Sequence, residues 1–307
     1  MYFFQRSKIN SYLLLFILLL ASFSCKSRYE KLDLSMYQYR DTKNLVRFVY
    51  DASLKLEKEG LKSLDYFRRN RDQYRKKDYY LYIYDLDGNN LFHAGMPELE
   101  NTNLKDITDK NGKKVTQLVL DALKNENNPH SWVHYSWWEP GKFYPVPKSS
   151  CHFKVKTPEG RELFVGAGMD YPHEEREFIR IIVDDAASLL EEKGSEAITD
   201  ISDPRSEFNY RDVRIFIIRP DGEIIISPMM DSTVCKTSIM ECTDEVGHKP
   251  FASIVKKLKD QDSAWEIFMA KNRYRRDLVK KTIHMRKASL AGKDVLVGAI
   301  TDLPEPP

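Results

Sequence analysis

The sequence contains an internal repeat, in which one series of short motifs occurs twice in the same order, the second time about 133 residues after the first. The matched landmarks are Asp87-Gly88 with Asp221-Gly222, Thr108-Asp109 with Thr243-Asp244, Trp132 with Trp265, and Gly166-Ala167 with Gly298-Ala299. Four landmarks in one order at a nearly constant spacing make chance similarity a poor explanation. Solenoid units are about 20 to 50 residues long, whereas this period is the length of a small domain. The repeat therefore predicts two consecutive domains of one fold, in agreement with a length of 307 residues.

Each half has the pattern of a helix followed by an antiparallel sheet. Apolar residues at helical spacing predict a long helix over 41–75, with a bend at Gly60. Aspartate-glycine turns between short apolar runs predict a β-hairpin in each half. The predicted strands are 79–84, 90–93, 132–138, 149–156 and 162–169 in the first half, and 213–218, 223–226, 264–269, 281–286 and 294–300 in the second. Helices are predicted over 115–124 and 250–258, and because hairpins dominate, the fold class is α+β.

The connection between the halves is predicted to be a helix and a linker. Asp170 is interpreted as the N-cap of a helix that runs to Lys193, where Gly194 ends it. The polar stretch 199–206 is interpreted as the linker. We therefore predict domains over 40–195 and 196–307.

The N-terminus resembles an export signal. Arg6 and Lys8 precede an apolar run over 12–23, which is shorter than the about 20 residues of a transmembrane helix. Residues 21–25 resemble a bacterial lipobox, with a serine where leucine is usual, so we predict a signal peptide over 1–24 and lipidation of Cys25. Residues 25–39 would then be a linker, and the protein would be exported and lipid-anchored to the bacterial cell envelope. A plain secreted protein and an uncleaved anchor remain alternatives.

Charge and cysteine usage exclude several function classes. Without Arg6 and Lys8 the chain has 46 basic and 46 acidic residues, so no global field favours nucleic acid. Cys235 and Cys242 lie close together in a predicted loop outside the cytoplasm, where a disulfide between them is plausible. No cluster of histidine, cysteine and carboxylate has metal-ligand spacing, so neither a metal nor a cofactor is predicted. No phosphate loop, nucleophile elbow or kinase signature is present, and we do not expect an enzyme.

Several motifs of the first half together resemble the Cache family of extracellular sensor domains, with the single-Cache type as the closest form. They are the long helix, the segments 82–88, 91–93, 132–138 and 166–169, Asp109 with Gly112, and Lys148. The resemblance covers 40–195 well and 196–303 more weakly, and Ala94 stands where the family often has proline. It implies two tandem PAS-like domains, each an antiparallel sheet, the first flanked by a long N-terminal helix. It also implies a small extracellular ligand, often a short carboxylate, bound on one face of the sheet.

Lys148 is the first candidate for contacting such a ligand. It follows Pro145 and Pro147, which restrict the approach of the chain. A carboxylate needs a cation and further donors in an otherwise apolar pocket. The alternative is a solvent-exposed lysine at a strand edge. The matched residue of the second half is taken to be Lys280, which lacks the prolines.

The other candidates are aromatic residues and one histidine. Tyr135 and Trp137 lie on one face of an alternating strand and carry donors on apolar rings. His93 and Tyr84 would line the pocket from the hairpin; core packing or surface positions are the alternatives. The repeat converts Tyr135 to Phe268 and Trp137 to Ala270, so the second half is expected to be structural. His152 and His284 are interpreted as repeated structural positions.

Together these features predict a lipid-anchored sensor that recognises a short carboxylate in its first domain. A signal would then pass by contact with a protein partner. The alternative is an envelope interaction protein that keeps the Cache fold without a ligand. An enzyme is the least supported hypothesis because no nucleophile and base are identifiable.

Overall fold

The structure is a computed structural model that describes residues 32–125, 128, 130–138, 143–211, 213–227, 238–271 and 277–302. The described residues from Met36 onward form one compact unit. The predicted signal peptide, Cys25 and Cys235 lie outside the described residues. Cys242 is disulfide-bonded, and Cys151 is a buried free thiol. Within the described residues no helix combines the length and the apolar character needed to cross a membrane.

The first half forms a five-stranded antiparallel sheet in the order β2-β1-β5-β4-β3. The strands are β1 (Leu81–Asp85), β2 (Asn90–His93), β3 (Ser131–Trp138), β4 (Pro145–Lys156) and β5 (Glu162–Asp170). Asp85 closes the β1–β2 turn because its Oδ1 accepts the main-chain N–H groups of Asp87 and Asn89. Gly88 takes the positive φ of 89° that this turn requires. The predicted hairpin is therefore confirmed.

Two helices, rather than the predicted single one, precede this sheet. They are α1 (Arg40–Glu59) and α2 (Lys62–Arg69), and a 3-10 turn over Arg71–Tyr74 follows. Gly60 ends α1 instead of bending it, because its φ is 65° and its amide closes onto the Leu56 carbonyl. The apolar side of α1, which includes Leu45 and Val49, is fully buried. This helix packs on one face of the sheet, against β4 and β5.

The second half repeats the antiparallel sheet, in the order β6-β7-β11-β10-β9, with β8 paired to β7. The strands are β6 (Asn209–Tyr210), β7 (Val213–Ile218), β8 (Ile224–Ile226), β9 (Ser263–Lys271), β10 (Leu278–Leu290) and β11 (Lys293–Thr301). One helix covers each sheet near an edge strand. In the first sheet α3 (Val115–Ala122) contacts β3, and in the second α6 (Pro250–Lys257) contacts β9. The predicted fold class, α+β with two PAS-like sheets, is confirmed.

The connection between the halves differs from the prediction. The helix α4 (Arg176–Lys193) begins six residues after Asp170, and its N-cap residue is Glu175. Glu175 accepts the amides of Gln38 and Tyr39 at the start of α1, while Asp170 ends β5. The predicted linker is also wrong in part, because α5 (Glu196–Ser202) buries Ala197 and Ile201.

The helix α4 belongs to the packing of both sheets. It lies against β10 and β11 of the second sheet, while Phe178 at its start contacts Trp132 of the first sheet with ring centroids 4.5 Å apart. A domain boundary at residue 195 stays a prediction, and this helix contributes to the cores on both sides of it.

Candidate functional site

The first sheet has a small cavity of about 40 Å³ on the face opposite α1. Its lining residues are Tyr80, Tyr82, Tyr84, His93, Leu104, Ile107, Val115, Thr116, Val119, Tyr135, Trp137 and Phe164. The sheet provides the aromatic floor, because alternate residues of a strand point to one face. The segment 104–119, which ends in α3, provides an apolar roof. A larger depression of about 680 Å³ beside Pro204 and Arg205 is an open surface feature.

Four of the five predicted ligand residues lie around this cavity: Tyr84, His93, Tyr135 and Trp137. Sequence reasoning missed Tyr80, Tyr82 and Thr116. The alternation of tyrosines at positions 80, 82 and 84 was the available signal for the first two, since it predicts three rings on one face. Thr116 carried no such signal, because only the packing of α3 over the sheet brings it there.

Lys148, the fifth predicted residue, is buried beside the cavity and is not one of its lining residues. Its Nζ forms an ion pair with Asp170 Oδ1 at 2.7 Å and lies 4.8 Å from the centroid of the Tyr80 ring. Only 2% of the residue is exposed, which rules out the alternative of a solvent-exposed lysine. The charge of Lys148 is therefore balanced within the protein.

The same cross-strand ion pair recurs in the second half. Tyr135 faces Lys148 in the β3–β4 register, and Phe268 faces Lys281 in the β9–β10 register. Lys281 pairs with Asp302 at 2.7 Å, although this pair is much more exposed. The match of Lys148 to Lys280 is therefore wrong by one residue. The pair is a shared feature of both sheets and is buried only in the first.

A hydrogen-bonded hydroxyl network forms the centre of the cavity floor. The hydroxyl of Tyr82 lies 2.9 Å from His152 Nε2. Burial raises the pKa of Tyr135 to about 12, although hydrogen bonds from Ser150 and Tyr82 oppose the shift. Burial also lowers the pKa of His152 to about 3. At neutral pH the phenols keep their protons and the imidazole stays uncharged, so the floor presents neutral donors.

His93 is held in one orientation at the end of the cavity. Its Nδ1 accepts the main-chain N–H of Met96 at 2.9 Å, so the neutral ring carries its proton on Nε2. Burial lowers its pKa to about 3. Glu100 accepts the His93 amide, and Arg71 donates to the His93 carbonyl. These contacts hold the backbone and the ring of His93 in place.

The equivalent space of the second sheet is filled by apolar side chains. In the first sheet Gly166 leaves room for Tyr82 and His152, whereas the matching Gly298 leaves room for Phe216 and Met285. The cluster over this face consists of residues such as Phe251, Ile254, Leu258, Phe268 and Ile283. The hydroxyl and imidazole pair of the first sheet is thus replaced by a phenyl and a thioether.

The equivalence of His152 and His284 is wrong. The residue facing Gly298 in the register is Met285, while His284 lies on the other face and stacks on Trp265 with centroids 4.2 Å apart. A shift of one residue moves a side chain to the opposite face of a strand. The described residues contain no group of histidine, cysteine and carboxylate side chains that could hold a metal ion.

Several solved structures with similar chains are described as sensor or chemosensory domains. A periplasmic sensor domain of a chemotaxis protein is 26% identical over 43% of this chain and 94% of its own, with a TM-score of 0.34. A Cache chemosensory domain described for carboxylic acid recognition is 22% identical over 43% and 94%, with a TM-score of 0.35. The periplasmic sensory domain of a Campylobacter jejuni chemoreceptor is 10% identical over 85% and 88%, with a TM-score of 0.31.

No curated protein matches this sequence. The family model described as Cache domain matches residues 31–289, a range that includes the first sheet and most of the second. This match extends over more than half of the chain and agrees with the two PAS-like sheets. The chain therefore belongs to the Cache domain family.

Proposed function

We propose that this protein is an exported, lipid-anchored sensor that binds a short monocarboxylate in the cavity of its first sheet. The observation that carries the proposal is the contrast between the two sheets. The first keeps phenol, indole and imidazole donors around a cavity, and the second has apolar side chains in the same positions. Burying phenol, indole and imidazole groups costs more free energy than burying apolar side chains, and recognition of a polar ligand is a reason to keep them in one sheet.

The size of the cavity favours a ligand of about two or three carbons. One water molecule needs about 10 to 15 Å³ of such volume. A cavity of about 40 Å³ therefore accommodates roughly three or four non-hydrogen atoms. Acetate has four and propionate five, which match this range or exceed it by one atom, whereas dicarboxylates and amino acids larger than glycine exceed it by two or more.

The donors around the cavity favour an anionic acceptor. Trp137 has only a donor, and the proton on His93 Nε2 makes that atom a donor as well. Lys148 Nζ lies 4.8 Å from the centroid of the Tyr80 ring, which lines the cavity, and would stabilise a single negative charge there. Because Asp170 already balances this cation, a monocarboxylate is favoured over a dianion.

Calorimetry on the mature chain with acetate, propionate, butyrate and succinate tests the proposal. We expect binding of the two smallest acids, weakened about tenfold by Tyr135→Phe because one hydrogen bond is lost. Lys148→Met should weaken binding further, whereas the matched variant Lys281→Met should bind normally. Failure of every short acid to bind would reject this function, and normal binding by Lys148→Met would remove the lysine from the site.

The second candidate function is that of an envelope interaction protein without a ligand. The small volume of the cavity and the internal balance of Lys148 by Asp170 favour it. It predicts that no small molecule co-purifies with the protein. Native mass spectrometry of the purified chain separates the two functions, because a bound acid adds a defined mass that acid denaturation releases.

The lipid anchor has a separate test. The lipobox resemblance of residues 21–25 supports lipidation of Cys25 and location in the periplasm or on the outer surface. Metabolic labelling with a fatty acid should mark the wild-type protein and not Cys25→Ser. Labelling of that variant would contradict the anchor. A signal from the cavity would then reach a protein partner by contact.

A further inference from the structure

Two side chains of the cavity roof form hydrogen bonds with the outer edge of β3. Asp109 Oδ2 accepts the main-chain N–H of Ser136 at 3.0 Å, and Lys113 Nζ donates to the main-chain carbonyl of His134 at 3.0 Å. These two main-chain groups flank Tyr135. Because β3 is an edge strand, the two side chains occupy hydrogen-bonding positions that no neighbouring strand fills.

Lys113 also reaches the second sheet. Its Nζ donates to the main-chain carbonyl of Asn209 at 2.7 Å, and Asn209 lies in the edge strand β6. Only 4% of Lys113 is exposed. Burial lowers the pKa of Lys113 to about 8, while Asp109 and Glu207 favour the charged form. One buried ammonium group thus joins the cavity roof, the ligand-facing strand and the second sheet.

The second half repeats the aspartate contact without the lysine. Asp244 Oδ2 accepts the main-chain N–H of Met269 in the edge strand β9 at 2.9 Å, as Asp109 does in the first half. His248 stands at the position of Lys113, and its Nε2 lies 3.3 Å from Glu266 Oε1. The aspartate is therefore part of the repeated framework, and the lysine bridge is specific to the half that has the cavity.

We propose that Lys113 is a positioning residue that couples occupancy of the cavity to the edge of the second sheet. This inference rests on the proposed ligand-binding function. Val115 and Thr116, which line the cavity, lie two and three residues after Lys113 in the chain. A ligand that orders the roof and β3 would hold the Lys113 ammonium in place, and the Asn209 carbonyl with it. Removal of the ammonium leaves two main-chain carbonyls without this donor.

Hydrogen–deuterium exchange on the mature chain, with and without acetate, tests the coupling. In the wild type, acetate should slow exchange in β3 and over 209–214. In Lys113→Met, acetate should still protect β3, while protection over 209–214 is lost. Lys114→Met is the matched control, because that neighbour is exposed and pairs only locally with Asp106. An unchanged response over 209–214 in Lys113→Met would overturn the proposal, as would a wild type in which acetate protects β3 alone.

The ligand-free comparison separates this inference from the proposed function. If acetate changes exchange nowhere in the wild type, the carboxylate function fails. Lys113→Met without ligand should still exchange about fivefold faster in both β3 and 209–214, as expected for the loss of about one hydrogen bond. Exchange equal to that of Lys114→Met would then reject the bridge. If Lys113→Met does not fold, Lys113→Gln is judged by the same criteria, and Lys113→Arg should restore the response.

Discussion

At the residue scale, two glycines determine which side chains fit on one face of each sheet. A Cβ on Gly166 would lie 2.5 Å from both His152 Cδ2 and Tyr82 Cε2. A Cβ on Gly298 would lie 2.5 Å from Phe216 Cζ. Neither glycine has a positive φ, so both are needed for space rather than for backbone conformation. The repeated glycine leaves room for the polar pair Tyr82 and His152 in the first half. In the second half it leaves room for the apolar pair Phe216 and Met285.

Alanine at each glycine should therefore have different effects on binding. Gly166→Ala and Gly298→Ala should each lower the free energy of unfolding by about 1 to 3 kcal/mol through overpacking. Only Gly166→Ala should also abolish acetate binding, because it displaces Tyr82 from His152. Urea unfolding and calorimetry measure the two effects. Equal loss of binding in both variants would contradict the assignment of the ligand to the first sheet.

The buried ion pair gives a second prediction at this scale. Asp170→Asn leaves Lys148 as a buried cation without its carboxylate, which should cost about 3 to 5 kcal/mol of stability. A bound carboxylate would offset part of that cost, so acetate should raise the melting temperature of this variant more than that of the wild type. Asp302→Asn, at the exposed matched pair, should change neither quantity. A smaller acetate effect in Asp170→Asn would count against a role for Lys148.

At the element scale, the repeat conserves the way in which a loop is fixed to an edge strand. Asp109 and Asp244 each accept main-chain N–H groups of their own turn and one from an edge strand. Such side chains cover edges that could otherwise pair with another chain. In each half, the aspartate of the repeated Thr-Asp motif therefore joins a loop to an edge strand by hydrogen bonds.

Removing one of these aspartates should destabilise the edge strand that it contacts. Asp244→Ala leaves the amides of Val246, His248 and Met269 without an acceptor, and should lower the free energy of unfolding by about 1 to 3 kcal/mol. Asp221→Ala is a control in the turn of the second hairpin, where Asp221 accepts one main-chain amide within the described part of the chain, that of Glu223. Exchange in β9 should increase in Asp244→Ala and not in the control. Unchanged β9 exchange in Asp244→Ala would show that the loop holds without its carboxylate.

At the scale of the whole molecule, buried histidines make stability depend on pH. Burial lowers the pKa values of five histidines, to about 3 for His93, His130 and His152, to about 4 for His284, and well below the usual value for His134. The unfolded chain binds protons on these residues below pH 6.5, and the folded chain does not. Each histidine therefore removes about 1.4 kcal/mol of stability per pH unit below 6.5.

Two carboxyl groups with raised pKa values act in the opposite direction. Burial raises the pKa of Glu207 to about 8 and that of Asp185 to about 6, so the folded state binds their protons first and gains stability as the pH falls from 8. Burial also lowers the pKa of Lys113 to about 8, which costs stability as the pH falls to 7. The free energy of unfolding should therefore change little from pH 8 to 7, where these contributions nearly cancel, and fall by several kcal/mol from pH 6.5 to 5. Urea unfolding across this range measures it. His284→Gln should reduce the acid slope by about one proton, and constant stability down to pH 5 would refute the account.

The sequence by itself determined the repeat, the fold class and four of the residues that line the cavity. Spacing and alternation are local properties, so they identified the hairpins, the strand with Tyr135 and Trp137, and the loss of donors in the second half. They did not determine that Asp170 ends a strand, because a carboxylate before a proline also suits a helix start. The observed bounds of α1 and α4 differ from the predicted ones for the same reason, because tertiary contacts decide between two structures that the local sequence allows.

Only the tertiary structure decided which charges are satisfied and which residues face each other. The register across strands, and not distance along the chain, matches Lys148 with Lys281 and opposes Gly298 to Met285. A shift of one residue reverses the face of a strand, so alignment by a constant period cannot resolve it. Burial likewise turned a candidate surface lysine into one half of an internal ion pair, because desolvation depends on everything packed around a group. Lys113, which bridges residues from both halves, could not be found from either half alone.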